Sequence, residues 1–511
     1  METVLPKTFV LNAIFSDNMV LQRGKNIKVW GKGADGDAIT VALGHAQMTV
    51  SPVDGVWTAV LPPMEAVESC EMSVSSAATG ERLVIRNVAI GEVWIAGGQS
   101  NMEYVLRLDA EAAHSVSSAN NPSIRFFDTP KLCYEGQEKD GDFSDYGFWR
   151  TCDPDNAGYY SAIGYYFALK INESLNVPVG IVGCNWGGTT ASTWLGEQYL
   201  ERDEDLSIYL REYEEATRDL DLVEYERQFQ ELQASMQGPE HREYMDWLVG
   251  HEFTEQPVEY TAESDPSVKD LIGPKFFNRP ARLFHAMVKQ IAGYTARGVL
   301  WYQGESDAVK PNLYGKLFTA LIACWRAEWQ DELPFLSVQL APFRAWFSSK
   351  GVNYPIVREQ QELVSKTVPL VYMASVMDGG MIWDIHPKNK RPVGERLALL
   401  ARGKVYGQDV LCEASETSEI MRVGASVSIA FLHAGAGLVV NGDQLNGLQL
   451  FIDGEETTDF EVDVRGNALR IDSEAIEKAR SLEIRFAWTD YVEVNLYSSA
   501  GLPAKPFRFD L

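Results

Sequence analysis

A serine at the end of a buried strand is the first feature of this sequence that points to chemistry. The segment GEVWIAGGQSNMEY starts with the apolar run Val93–Ala96, passes two glycines and reaches Ser100 before a predicted helix. Glycines allow a tight turn, and the N–H groups of a helix start favour developing negative charge. Ser100 is therefore a candidate nucleophile, although Met102 replaces the second glycine of a GxSxG elbow. The alternative is a serine that caps the helix.

A second apolar strand, PVGIVG, ends in a turn that contains Asn185, Gly187 and Gly188. Glycines here can present backbone N–H groups to an oxyanion, the charged oxygen that forms when a nucleophile attacks an ester. Glycine turns are common, so this segment supplies oxyanion-hole candidates without proving their role.

A third strand, in RGVLWYQGESDA, is followed at once by polar residues. The side-chain amide of Gln303 is a donor suited to an oxyanion. Glu305 and Asp307 are each able to orient a histidine, and the alternative is that one of them caps the next helix.

The predicted base is His386, in DGGMIWDIHPKNKRPVGE. Of the seven histidines it is the one that follows a core strand, and histidine is the best base near neutral pH. Ser100 and His386 together predict acyl transfer: the serine attacks, the histidine takes its proton and returns it to the leaving hydroxyl, and water releases the acid. This reaction needs no metal and no organic cofactor.

The motifs GQSN, NWGG, WYQGES and D-x-H-P, in this order, resemble those of the SGNH-type hydrolase superfamily. The closest resemblance is to the sialate O-acetylesterase family and the related acetylxylan esterases. IFSDNMVLQRGKNIKVWG near the start and RFAWTDYVEVNLYSSAGLPAKPFR near the end are also similar to that family, so the resemblance covers nearly the whole chain. It implies that Ser100 is the nucleophile and His386 the base. It also implies an oxyanion hole built from the Ser100 N–H, a glycine N–H of Asn185–Gly188 and Gln303.

The carboxylate that orients the histidine stays open between two residues. Many SGNH enzymes carry an aspartate three residues before the histidine, where this chain has Trp383. Asp384 lies two residues before it, and Glu305 belongs to the QGE motif. Since a catalytic imidazole needs its second nitrogen oriented, we expect Asp384, Glu305 or both within hydrogen-bond reach of His386.

These residues must be positioned by three predicted domains. Residues 25–90 read as short strands between Gly, Asp and Pro turns, which predicts a β-sandwich domain over residues 1–90. Residues 91–408 alternate apolar strands with helices, which predicts an α/β domain with a doubly wound sheet. Residues 410–511 alternate in polarity and should be mostly β, which predicts a second β-rich domain over residues 409–511. The resemblance implies a flavodoxin-like three-layer SGNH hydrolase domain with flanking β-sandwich domains.

An acidic insert at about 200–270 interrupts the α/β pattern. Its sequence ERDEDLSIYLREYEEATRDLDLVEYERQFQELQ is helical in composition. One interpretation is a lid or the arm of a homodimer, and the other is an exposed insertion without chemistry.

Composition excludes several partners. The net charge is −27, which argues against nucleic acid, and no basic run suits a membrane surface. No apolar run approaches the roughly 18 residues of a membrane span. The first residues lack the features of a signal peptide, so the expected location is the cytoplasm, or the periplasm or outside if a leader was removed.

The expected partner is an acetylated sugar or oligosaccharide. The resemblance favours O-acetylated sialic acid, but a sialate carboxylate requires a cationic pocket in a chain of net charge −27. Arg107, Arg344 and Arg358 are candidates for such a pocket, whereas acetylated xylo- or manno-oligosaccharides need none. The alternative from another class is a non-catalytic carbohydrate-binding protein, which two β domains and 13 tryptophans would also suit.

Overall fold

A computed structural model of the protein describes residues 9–139, 143–236, 239–257 and 271–511. The chain divides into two units, each assembled from segments that are distant in sequence. Unit 1 comprises Met1–Leu220, Ile272–Trp301 and Ala320–Phe335. Unit 2 comprises Asp221–Leu271, Tyr302–Thr319 and Leu336–Leu511.

The strands are numbered here in chain order. They are β1 (Phe9–Leu11), β2 (Val20–Gln22), β3 (Ile27–Gly33), β4 (Ile39–Leu43), β5 (Ala46–Val50), β6 (Val56–Leu61), β7 (Val67–Ser76), β8 (Arg82–Gly98), β9 (Asn121–Asp128), β10 (Trp149–Cys152), β11 (Val179–Asn185), β12 (Gly298–Tyr302), β13 (Phe335–Val338), β14 (Ala345–Trp346), β15 (Ser349–Lys350), β16 (Val371–Ala374), β17 (Glu416–Val423), β18 (Ser426–Leu432), β19 (Leu438–Val440), β20 (Leu448–Ile452), β21 (Glu455–Thr457), β22 (Glu461–Arg465), β23 (Ala468–Asp472), β24 (Leu482–Phe486), β25 (Leu496–Ser498) and β26 (Phe507–Asp510).

The α-helices are numbered in the same way. They are α1 (Ser100–Glu103), α2 (Ala112–Ser117), α3 (Ala162–Leu175), α4 (Glu197–Glu201), α5 (Ile208–Thr217), α6 (Leu222–Ser235), α7 (Pro239–Gly250), α8 (Lys289–Ile291), α9 (Tyr314–Trp329), α10 (Tyr354–Thr367), α11 (Arg391–Leu400) and α12 (Glu474–Lys478). Short 3₁₀ turns, including Ala191–Trp194 and Ser306–Val309, connect several of them.

In unit 1, the strand that leads to Ser100 lies inside a largely parallel sheet. The strand order is β10-β9-β11-β8-β12, and β11 runs parallel to both β8 and β9, with Asn185 opposite Gly98. Every residue of β8 from Val88 to Gly98 is buried, as is all of β11. Continuous apolar runs are what parallel strands covered on both faces require.

Residues 25–90 of unit 1 are mostly β, which confirms the prediction for this stretch. The strands β1, β3 and β6 form an antiparallel sheet, and β4 pairs with β5 and β7. The first half of β8 pairs antiparallel with β7, and the second half joins the parallel sheet. β8 therefore continues through residue 90, where the sequence placed a domain boundary; that boundary stays a prediction.

The C-terminal part of unit 2 is β-rich, as the sequence predicted for residues 410–511. It contains the antiparallel sheets β17-β18-β23-β22 and β21-β20-β24-β26. Buried and partly buried residues alternate along β18 and β24, because successive side chains of a strand point to opposite faces. Val427, Ile429, Leu450 and Ile484 are members of the shared apolar core.

The acidic insert is mostly helical over the described residues of 200–250, as predicted, whereas its residues 258–270 lie outside the described part of the chain. The helices α4 to α7 occupy most of residues 197–250. Among the described residues, no helix is both long and apolar enough to cross a membrane.

Candidate active site

β8 places Ser100 at the carboxyl edge of the parallel sheet. The strand ends at Gly98, whose φ of 134° is readily adopted only by glycine. Gln99 takes the N-cap position and Ser100 is the first residue of α1, so Ser100 is not the cap that was its alternative role. At Gly97 a Cβ would lie 3.0 Å from the ring of Trp301. Both glycines that precede the serine are thus required by the local geometry.

The glycine turn after β11 packs directly against Ser100. A Cβ on Gly187 would lie 3.2 Å from the Ser100 Cβ. The Gly187 N–H donates to Glu103 Oε2 at 2.6 Å, and the Asn185 side-chain amide donates to a carbonyl of β8 at 3.0 Å. These two candidates therefore hold the turn in place, and Gly188 follows them with a φ of 73°.

Glu103 is a residue of this site that the sequence analysis missed. One carboxylate oxygen holds the Gly187 N–H, and the other pairs with the ammonium group of Lys131. Close by, burial raises the pKa of Asp128 to about 7, against the opposing charge of Lys131. The available signal is the spacing in GQSNME, which places Glu103 three residues after Ser100, on the same side of α1.

In unit 2, Gln303 is fixed by its neighbours. Its Nε2 donates to Asp307 Oδ2 at 2.6 Å, and its backbone carbonyl accepts from Tyr314 Oη at 2.8 Å and from Gln361 Nε2 at 3.2 Å. Asp307 thus binds an amide of its own motif. Glu305 is buried at the N-cap position of the following 3₁₀ turn, and its side chain makes no capping hydrogen bond there.

His386 lies buried in the loop after β16, next to Asp384. Asp384 Oδ1 accepts the His386 backbone N–H at 2.8 Å and lies 3.7 Å from the imidazole Nδ1. The second distance exceeds that of a hydrogen bond, but catalytic hydrogen bonds are often long in a structure without substrate. The ring of Trp346 packs edge-on against the imidazole, with 5.1 Å between ring centroids. The carboxylate that the structure brings beside the histidine is therefore Asp384.

Two buried lysines set the electrostatics of this loop. Lys388 Nζ binds Asp384 Oδ2 at 2.9 Å, and Lys390 is fully buried. Burial, followed by the charges of Lys390 and Lys388, holds the pKa of His386 well below its usual 6.5. Burial raises the pKa of Asp384 although Lys388 opposes it. The lowered pKa favours the neutral imidazole that a general base requires.

The candidate residues fall into two clusters, one in each unit. Ser100 and the Asn185–Gly188 turn share an edge of unit 1, and Asp384 and His386 share a loop of unit 2. The contributions of Lys388 and Trp346 were not anticipated, because a lysine in KNKR and a tryptophan in a loop carry no sequence signal of their own.

Comparison with known proteins supplies an independent line of evidence. Residues 272–399 match the family model described as carbohydrate esterase, sialic acid-specific acetylesterase. The chain is 29% identical to rat (Rattus norvegicus) sialate O-acetylesterase over 432 residues, which cover 78% of this chain and 73% of the rat protein. It is 24% identical to the human (Homo sapiens) sialate O-acetylesterase over 544 residues, which cover 98% of this chain and 92% of the human protein.

A solved structure is similar over the same extent. The crystal structure of a carbohydrate acetylesterase from Xanthomonas citri matches with a TM-score of 0.76 and 28% identity, covering 98% of this chain and 99% of that chain. The chain is therefore similar, across nearly its whole length, to carbohydrate and sialate O-acetylesterases, which confirms the family resemblance that its motifs predicted.

Proposed function

We propose that this protein is a carbohydrate O-acetylesterase in which Ser100 is the nucleophile and His386 the general base. The observation that carries the proposal is the position of Ser100. It starts α1 directly after the buried β8, and Gly187 packs against its Cβ. A serine so placed is accessible to an ester at the edge of the sheet where open α/β folds bind ligands. The named similarities to acetylesterases support the same reaction.

Each remaining candidate has a role in this proposal. His386 takes the Ser100 proton and later protonates the sugar hydroxyl, and Asp384 stabilises the imidazolium, with Glu305 as the alternative acid. The Ser100 N–H, the Gly188 N–H and the Gln303 amide would bind the oxyanion. Gly187 and Asn185 hold the turn.

The second part of the proposal concerns the domains that carry these residues. We propose a flavodoxin-like three-layer domain for residues 91–408, flanked by β-sandwich domains over residues 1–90 and 409–511. The parallel register of β11 with β8 and β9 supports the first. The antiparallel sheets that contain β3 and β18 support the second.

The test is a set of substitutions assayed for acetate release from p-nitrophenyl acetate and from an acetylated oligosaccharide. Ser100→Ala and His386→Ala should each lower kcat by at least about 10³-fold. The double variant should be hardly worse than either single variant, because residues that act as a unit are strongly non-additive. Ser118→Ala, which changes an exposed serine of unit 1, should keep wild-type activity.

Two results would contradict the proposal. Additive losses in the double variant would mean that Ser100 and His386 do not act on the same acyl group. A correctly folded wild-type protein that binds glycans but releases no acetate would favour the non-catalytic carbohydrate-binding alternative.

A neutral acetylated oligosaccharide is the second candidate substrate, beside O-acetyl sialic acid. The three arginines considered for a sialate carboxylate each contact another group of the protein. Arg358 is buried and donates to backbone carbonyls, including those of Leu340 and Thr489. Arg344 pairs with Asp490, and Arg107 lies over the ring of Tyr159.

The comparison of kcat/KM for O-acetyl sialic acid and for acetylated xylo-oligosaccharides separates the two substrates. A tenfold preference for the sialate would assign that substrate and would require a different cation. A preference for the xylo-oligosaccharide would agree with the engaged arginines.

A further inference from the structure

A row of aromatic rings runs along one face of α7 and its C-terminal end. Tyr244, Trp247 and His251 follow each other at intervals of three and four residues, so they share a face of the helix, and Phe253 comes next. The ring centroids of Tyr244 and Trp247 are 6.1 Å apart, and those of Trp247 and His251 are 5.1 Å apart. Trp247 is 53% exposed and Tyr244 47%. We call these four residues the aromatic row.

The aromatic row is continuous with the histidine loop. Phe253 contacts Phe347 edge-on at 5.7 Å and Trp346 at 6.5 Å between centroids. Trp346 in turn packs against His386 at 5.1 Å. All of these residues belong to unit 2, so a continuous series of ring contacts leads from α7 to the proposed base.

Lys388 fixes the end of α7 to the same loop. Its ammonium group binds Asp384 and also donates to the backbone carbonyl of Val249, in the last turn of the helix. A cation at a helix C-terminus satisfies carbonyls that lack a partner within the helix. The rings are thus held at a defined distance from His386 rather than on an independent arm.

We propose that the aromatic row is a glycan subsite that stacks a neutral pyranose ring of the acetylated oligosaccharide, next to the sugar whose acetyl group is cleaved. This inference rests on the proposed function and extends it to the substrate. The apolar face of a pyranose ring fits a flat aromatic surface, and an aromatic ring loses little conformational entropy on binding.

The charges around the aromatic row indicate which sugar it accepts. Its helix and the residues after it are acidic and would repel a carboxylate sugar; they include Glu240, Glu243, Asp246, Glu252 and Glu255. A neutral pyranose is therefore the occupant that these charges favour.

The test compares three substrates on the full-length protein: p-nitrophenyl acetate, acetylated xylose and acetylated xylotetraose. Trp247→Ala should raise KM for the tetramer about tenfold with kcat retained. It should leave kcat/KM for the two smaller esters unchanged. Trp247→Phe, which keeps a ring, should restore most of the affinity. Met245→Ala is the matched control, because Met245 is 40% exposed on the same helix but points to another side.

The outcomes separate this inference from the proposed function. Unchanged KM for the tetramer in Trp247→Ala would overturn the subsite, as would an equal loss on p-nitrophenyl acetate, which would reveal a disturbed histidine loop. If the wild-type protein cleaves none of the esters, the proposed function fails. Titration of Trp247→Ala and wild-type protein with unacetylated xylotetraose, followed calorimetrically, then still decides whether the row binds glycan.

Discussion

Two buried carboxylates, one in each unit, show how differently this protein treats a buried negative charge. Glu92 in β8 is fully buried and binds Arg23 at 2.7 Å, Arg297 at 2.8 Å and the Gln22 amide at 3.2 Å. Burial would raise the pKa of Glu92, but Arg297, Arg23 and Gln22 outweigh it and hold the pKa below its usual value. Asp384 is as deeply buried, yet there burial prevails over Lys388 and the pKa is raised.

The difference separates a structural charge from a functional one. A carboxylate with a lowered pKa gains stability from being ionised in the folded state, and one with a raised pKa loses it. Glu92 therefore stabilises the start of the parallel part of β8. The pKa of Asp384 is raised, so its ionised form is held at a cost to folding, which is the pattern expected where a charge serves chemistry.

The largest effect that would test this comparison is on catalysis. Asp384→Asn should lower kcat by about 10²- to 10⁴-fold, because the amide cannot stabilise the imidazolium and favours the wrong tautomer. Its free energy of unfolding at pH 7 should fall by less than that of Glu92→Gln, because the raised pKa of Asp384 means that its ionised form costs folding free energy, which offsets the loss of the pair with Lys388. Steady-state kinetics and chemical denaturation measure the two quantities. Retention of wild-type kcat would transfer the role of acid to Glu305.

The location of the site could be predicted from the sequence, but its carboxylate could not. Ser100 and His386 follow apolar strands directly, so their positions depend on local patterns of glycine and hydrophobicity. Which carboxylate orients His386 depends on the conformation of the loop. Asp384 lies beside the imidazole because its side chain accepts a hydrogen bond from the His386 backbone N–H. Glu305 comes from a segment about 80 residues away, and no local pattern fixes that distance.

Contacts between residues that are distant in the sequence could not be predicted either. Arg23 and Arg297 are 274 residues apart in the chain, so no sequence pattern predicts that both bind Glu92. The helices of the insert could be predicted from composition, whereas the alignment of Trp247 and Phe253 with Trp346 requires the tertiary structure.

The second effect is on stability. Glu92→Gln should lower the free energy of unfolding at pH 7 by about 3 kcal/mol, because removing one partner of a buried ion pair leaves the others uncompensated. The pKa of Glu92 is lowered in the folded state, so its contribution is fully present above the unfolded pKa and is lost as pH falls through the folded pKa. The gap between variant and wild type should thus begin to narrow as the pH falls below about 4.5 and close only below the lowered pKa of folded Glu92.

Activity provides the control for the second effect. The folded Glu92→Gln protein should keep wild-type kcat at a temperature well below its melting point. If its kcat fell as far as that of Asp384→Asn, the division into structural and functional carboxylates would be wrong.

The smallest effect is a shift in pH dependence. The base must be neutral to act, so kcat/KM falls as pH drops through the pKa of His386, and the lowered pKa places this acid limb below the usual histidine range. Lys388→Met removes a charge that lowers the pKa and leaves the Asp384 carboxylate unneutralised. Both changes favour the imidazolium, so the limb should move to higher pH and activity should fall more at pH 5 than at pH 8.

Two further variants show whether charge is the cause. Lys388→Arg keeps the charge and should keep the limb near its wild-type position, although the tie to α7 is altered. Lys366→Met removes a lysine of the same unit that pairs with Glu362 at 2.6 Å and should not move the limb. An acid limb that stays in place in Lys388→Met, with the protein folded, would mean that Lys388 only ties α7 to the loop and does not set the protonation of His386.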